Sequence, residues 1–157
     1  MKRGRRAIRP GHYEITLMNT ANSSLEKIEA REVPENERLE VLPKRFGHHM
    51  LIVENAIYDF MAAHARTYRG GSWKFVELSN GGVYMAPIGE ATFDVHIEGN
   101  GFEGSMSADA AGITACLFAF SHLSFQIQSD ALVNHFYQLR DFASEHAEAS
   151  AILAAID

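Results

Sequence analysis

The sequence predicts a single α+β domain, a small antiparallel β-meander packed with several α-helices. Three observations carry this. Eight of the twelve glycines lie between Gly70 and Gly104, among short alternating apolar runs that need turns. Apolar residues at helical spacing precede that stretch and follow it. The elements also come in blocks, helix then strands then helices, without the regular alternation that builds a parallel sheet. At 157 residues, 46% hydrophobic and 22% charged, the chain is long enough for one domain with a real core.

In order, residues 1–32 read as an N-terminal extension. Tyr13, Ile15 and Leu17 suit a short strand, but Asn19 to Ser24 is a polar break. The compact domain spans 33–157. Pro34 fits the first turn of a short helix, which Pro43 is expected to end two turns later. From Val53, the residues Ile57, Phe60, Met61, His64 and Tyr68 mark one face of a longer helix closed by Gly70-Gly71. Strand-forming runs then flank Ser79-Asn80-Gly81-Gly82, a hairpin signal with Asn80-Gly81 or Gly81-Gly82 as the tight loop. That register puts Trp73, Phe75, Tyr84 and Ala86 on one face and Val76, Leu78, Val83 and Met85 on the other. Neither face is polar. Helices covering both sides are the ordinary outcome; an aromatic face kept open for a partner is the alternative.

Phe93, Val95 and Ile97 alternate with Asp94 and His96 as a half-exposed strand, and Glu98-Gly99-Asn100-Gly101 turns into a last strand through Phe102 and Met106. Ser107 is a good N-cap for the next helix, with Asp109 at the positive end of its dipole. Residues 108–127 are apolar nearly all round, which predicts a central buried helix. The charge-free run from Ala110 to Ser129 has the length of a membrane span, but Thr114, Ser121, His122, Ser124, Gln126 and Gln128 interrupt it. A helix over 130–146 turns Leu132, Phe136, Leu139 and Ala143 inward, and Ala149 to Ile156 forms a last turn or two.

Charge narrows the function classes. Lys2, Arg3, Arg5, Arg6 and Arg9 make the first nine residues strongly basic. The nine remaining basic residues face all 20 acidic ones, so the body carries a net −11. From Ser107 onward Arg140 is the one basic residue, against Asp109, Asp130, Asp141, Glu145, Glu148 and Asp157. Such a body repels a phosphate backbone, which argues against sequence-specific nucleic-acid binding. A helix-turn-helix over 108–146 would offer only Arg140, Asn134 and Gln138 to bases. The basic head is not followed by a signal-length apolar run, and a lone cysteine fits a reducing cytoplasm.

Candidate chemistry is thin. Cys116, with His122 and Asp141 as partners, is the available nucleophile, yet it sits mid-helix among apolar neighbours. The eight histidines include no His-Glu-x-x-His pair, and His48-His49 are adjacent, which would point them apart on a regular element. Gly70-Gly71 and Gly81-Gly82 lack the Lys-Ser/Thr of a phosphate loop. No metal, cofactor or catalytic constellation is expected.

Three blocks resemble the ArdB/KlcA family of antirestriction proteins of mobile elements. The first is Val33-Pro34-Glu35, Arg38, Leu42-Pro43 and Phe46-Gly47. The second is Tyr68-x-Gly-Gly-x-Trp73-x-Phe75, Leu78-Ser-Asn-Gly-Gly82 and Met85-Ala-Pro87. The third runs from Ala110-Ala-Gly-Ile113 and Ala115-Cys-Leu117 through Ser121-His122 and Tyr137-x-Leu-Arg-Asp141 to Ala149-Ser-Ala-Ile152 and Ile156-Asp157. They lie in family order from Val33 to Asp157; the basic leader departs from the compact pattern. The resemblance implies a small cytoplasmic α+β protein, without enzymatic activity, that protects incoming DNA by blocking type I restriction–modification enzymes. Its partner would be such an enzyme or an associated host protein, with no membrane involved. The acidic residues form no long tract, which favours protein contact over extended DNA mimicry. Two surfaces are candidates: the aromatic hairpin with Trp73, Asn80 and Tyr84, and the acidic C-terminal helices with Asp141, Glu145, Glu148 and Asp157. The competing function is a small hydrolase-like enzyme using Cys116 or a histidine pocket.

Overall fold

The computed structural model describes residues 26–157. The possible strand around Tyr13 to Leu17 and the basic residues 2–9 lie outside the described residues. Strand β1 (Ala30–Glu32) is followed by a 3-10 turn over Glu35–Glu37, helix α1 (Arg38–Phe46), a second 3-10 turn over Gly47–His49 and helix α2 (Met50–His64). Strands β2 (Trp73–Leu78), β3 (Val83–Pro87), β4 (Thr92–Ile97) and β5 (Phe102–Ser107) come next. Helices α3 (Ala108–Gln126), α4 (Asp130–Glu145) and α5 (Ala149–Ile156) complete the chain. The architecture is α+β, as the block order predicts, but the meander is split. One antiparallel sheet has the order β1-β2-β3, and β4-β5 form a second. Strand β1 was not apparent in the sequence: it is three exposed residues paired to β2, with polar side chains at two of three positions.

Helix α3 is the centre of the molecule, as its all-round apolar surface requires. It is long and apolar enough to cross a membrane, but most of it is buried within the fold, with Ile113, Cys116 and Leu117 fully enclosed. Ser107 caps it, its Oγ accepting the Ala110 N–H at 3.1 Å. Strand β3 is buried along its whole length against this helix. The approach is close enough that a Cβ at Gly112 would stand 2.4 Å from the Ala86 Cβ and 2.6 Å from the Met85 carbonyl. Glycine is the one residue that fits there.

The hairpin turn corrects the predicted register. The Gly81 N–H bonds the Leu78 carbonyl and Leu78 N–H bonds the Gly82 carbonyl, both at 2.9 Å, so the loop is the three residues Ser79, Asn80 and Gly81. Only Gly81 takes a positive φ, +91°, the signature of a type I turn closed by a left-handed glycine. An odd loop shifts the pairing by one relative to a two-residue loop, and a one-residue shift exchanges faces. Tyr84 therefore stands opposite Val76, and Met85 opposite Phe75. Trp73, Phe75 and Met85 share one face, Val76, Tyr84 and Ala86 the other.

Two helix ends also differ from expectation. Pro43 lies inside α1, which runs on to Phe46. The carbonyl it deprives of a partner belongs to Leu39, a residue that is 90% exposed. Helix α2 stops at His64, short of Tyr68 and Gly70-Gly71. There Ala65 bridges Val95 and Arg66 donates its N–H to the Asp94 carbonyl, drawing the chain onto β4.

Candidate interaction surface

The aromatic half of the predicted surface is core. Trp73 is buried, its Nε1–H donating to the Tyr68 hydroxyl at 3.1 Å while Tyr58 meets the ring edge-on at 5.2 Å. Tyr84 is buried too, its hydroxyl donating to Asp109 Oδ1 at 2.9 Å. The open aromatic face expected as one possibility does not form, because covering helices give these rings more buried area than solvent allows. Asn80 is half-buried and ties the hairpin to α4: its Nδ2 donates to the Gln138 carbonyl at 2.9 Å, and Gln138 Nε2 returns a bond to the Asn80 carbonyl at 3.1 Å. Arg45 from α1 adds a bond from Nη1 to the Gly81 carbonyl at 2.8 Å.

The acidic half divides. Glu148 precedes α5 and is bonded inward, accepting the Ser107 N–H at 2.9 Å and the Ser107 hydroxyl. It therefore acts as a second cap on the start of α3. Asp141 and Glu145 lie on the exposed side of α4, and Asp157 ends the chain in solvent. Glu145 accepts the Ile28 N–H at 3.2 Å, and with Asp141 and Asn80 it borders a groove of about 590 Å³.

Sequence reasoning missed the most connected polar cluster. Asp109, in the first turn of α3, accepts from Tyr84, from Lys74 Nζ at 3.1 Å and from His146 Nε2 at 3.0 Å. His146 Nδ1 in turn accepts the Glu148 N–H at 2.9 Å, which fixes the tautomer with the proton on Nε2. Burial works against a charged Asp109, but the bonds from His146, Lys74 and Tyr84 outweigh it and hold the carboxyl at about 2. Burial and the Asp109 charge push the Tyr84 hydroxyl well above its usual range. The only sequence signal was the helix-start pattern Ser107-x-Asp109; nothing local ties it to Lys74 or His146.

The rival chemistry is not assembled. Cys116 is fully buried, with its Sγ between the Met85 N–H at 3.4 Å and the Met85 carbonyl at 3.5 Å. Burial pushes the thiol up to about 12, so it stays protonated and unreactive. His122 is exposed beside Gln126, and Asp141 belongs to the outer side of α4, so neither serves the sulfur. His135 packs against Phe46 at 5.0 Å, and burial with the nearby Arg45 charge pushes it down to about 4. His48 and His49 do not diverge as adjacent residues on a regular element would. The 3-10 turn brings their rings to 3.9 Å.

The profile of a family described as "Antirestriction protein" matches residues 66–157, from just beyond α2 to the last residue. The chain belongs to the antirestriction protein family. This antirestriction protein is 45% identical over 137 residues to an antirestriction protein KlcA of Escherichia coli, covering 83% of this chain and 94% of the relative. A second Escherichia coli KlcA is 39% identical over 141 residues, covering 87% and 99%. A solved structure superposes with a TM-score of 0.77 at 42% identity, over 84% of this chain and 98% of its own. It is described as showing, for KlcA and ArdB, "a novel fold and antirestriction activity against Type I DNA restriction systems in vivo but not in vitro". The family match contains every residue of both candidate surfaces and the Asp109 cluster.

Proposed function

We propose that this antirestriction protein blocks type I restriction–modification enzymes in the cytoplasm by contact with the enzyme or an associated host protein. It does so without catalysis and without occupying a DNA site. The observation that carries this reading is the state of the carboxylates. Glu77 is held by Arg31 and Arg45, Asp109 by Lys74 and His146, and Glu148 by Ser107. Many of the other acids are exposed and spread over separate elements, among them Asp59 on α2, Asp94 on β4, Glu90 and Glu98 in turns, and Asp141 and Glu145 on α4; Glu29, Glu32, Glu35, Glu37 and Glu40 are exposed too and lie close together in sequence from the approach to β1 into α1. A duplex mimic needs rows of free charge at phosphate spacing. The related structure's activity in vivo but not in vitro supports the same reading, because a mimic competing by mass action needs nothing beyond itself and the enzyme.

The test is the plating of unmodified phage on cells with and without a type I system, each with and without this protein. Protection confined to cells carrying the system is the expected result. Equal plating with and without the protein would remove the proposal. Retained protection by Cys116→Ala and His122→Ala is expected as well; its loss in proteins that melt normally would revive the hydrolase-like alternative.

A further inference from the structure

Strand β1 leaves one of its edges open. Val33 donates its N–H to the Phe75 carbonyl, and the Glu29 carbonyl accepts the Ser79 N–H. In an antiparallel ladder, Glu29, Arg31 and Val33 therefore turn their main-chain groups toward β2, while Ala30 and Glu32 turn theirs the other way. Among the described residues no strand pairs with that outer side. Two residues before Ala30, the outward N–H of Ile28 is taken by Glu145 at 3.2 Å, but no such acceptor meets Ala30 or Glu32. An edge of this kind recruits a further strand unless something covers or guards it.

Charge around the edge is of one sign. Glu29, Glu32, Glu35, Glu37 and Glu40 are all exposed. The two cations within that run are engaged: Arg31 holds Glu77 at 2.8 Å, and Arg38 stands 3.7 Å from Glu32. No described cation lies within ion-pair range of Glu29, Glu35, Glu37 or Glu40. Charge of one sign guards an edge against an acidic strand and invites a basic one.

We infer that the occupant of this edge is the chain's own basic leader, with residues 2–9 extended along the outer side of β1. Its main chain continues the ladder at Ala30 and Glu32, and Lys2, Arg3, Arg5, Arg6 and Arg9 meet the acidic run. Reach and tethering select this occupant over a basic segment of another molecule. The described chain begins at Glu26, four residues before Ala30, a distance of roughly 13 Å in extended chain. Residues 10–25 can span up to roughly 55 Å, so the leader reaches the edge with length to spare. Tethering holds it there at an effective concentration on the order of millimolar. The inference goes beyond the protein-contact reading and does not depend on it: the chain neutralises its own densest acidic run.

Amide hydrogen exchange of the full chain tests it. Wild type is compared with a variant in which Lys2, Arg3, Arg5, Arg6 and Arg9 are all replaced by serine. The quantity read is the exchange rate of the Ala30 and Glu32 amides relative to Arg31, whose N–H faces β2 in either case. At low salt that ratio is expected to be at least tenfold higher in the variant, and the two proteins should converge in high salt, where the charges are screened. Equal ratios at low salt would overturn the inference, whether both pairs of amides are fast or another segment protects them in both proteins. Wild-type protection that grows with protein concentration would overturn it too, since a second copy would then be the occupant.

Discussion

The carboxylates at the two ends of the helical layer make a sharp contrast. Asp109 sits at the N-terminus of α3, three groups donate to it, and burial surrounds it. Asp141 and Glu145 sit at the C-terminal end of α4, exposed, with a single backbone N–H bound to Glu145. Both helices come from the same acidic third of the chain, yet the first carboxylate belongs to the fold and the other two to the surface. Acidic composition alone does not distinguish charge that the fold uses from charge left at the surface; position along the helix dipole and the partners gathered around each group do.

The largest effect should come from the first group. Asp109→Ala strands Tyr84, Lys74 and His146 without their acceptor, and about 2–4 kcal/mol of unfolding free energy should be lost in urea. A loss below about 1 kcal/mol would erase the contrast. Next is the hairpin that carries Tyr84 to the cluster. Gly81→Val forces a branched residue to φ +91° and against Gln138 Nε2, 3.0 Å from the glycine's Cβ position. It should lower stability by about 1–3 kcal/mol in a thermal melt.

The pH response sharpens the comparison further. The Asp109 carboxyl is held at about 2, below its ordinary 3.8. A depressed acid binds fewer protons folded than unfolded, so its contribution is complete above the ordinary value and is lost as pH falls through about 2. The stability gap between wild type and Asp109→Asn should therefore narrow on acidification across that window. A gap that stays constant would show that the cluster does not depend on the charge. The smallest effect has the opposite sign. Asp141→Asn with Glu145→Gln relieves two unfavourable dipole interactions and should raise stability by about 0.3–1 kcal/mol. A marked loss in the melt would mean that these acids serve the fold after all.

Much of this was legible beforehand. The all-round apolar run predicts α3 and its burial, Ser107 predicts its cap, and the glycine distribution predicts the strands. What escaped depends on relations across the chain. Ser79-Asn80-Gly81-Gly82 specifies a turn but does not choose between a two- and a three-residue loop, and that choice decides which face Tyr84 joins. Strand β1 is too short and polar to stand out until β2 offers its edge. For the site, Asp141, Glu145 and Asp157 were correctly placed in solvent by charge pattern, whereas Glu148 looked identical in sequence and is a cap. The Asp109 cluster joins residues from β2, β3, α3 and the α4–α5 connection, which no local pattern reveals. Tyr137 entered only through the family resemblance and not as a surface residue, and its 56% exposure shows only in the fold.

The central claim, contact with protein in place of DNA mimicry, is tested most directly by displacement. A labelled DNA fragment bound to a purified type I restriction enzyme is titrated with this protein at low salt, where acidic mimics compete best. The account predicts that the DNA stays bound even at a large excess of the protein. Stoichiometric release of the DNA would contradict it.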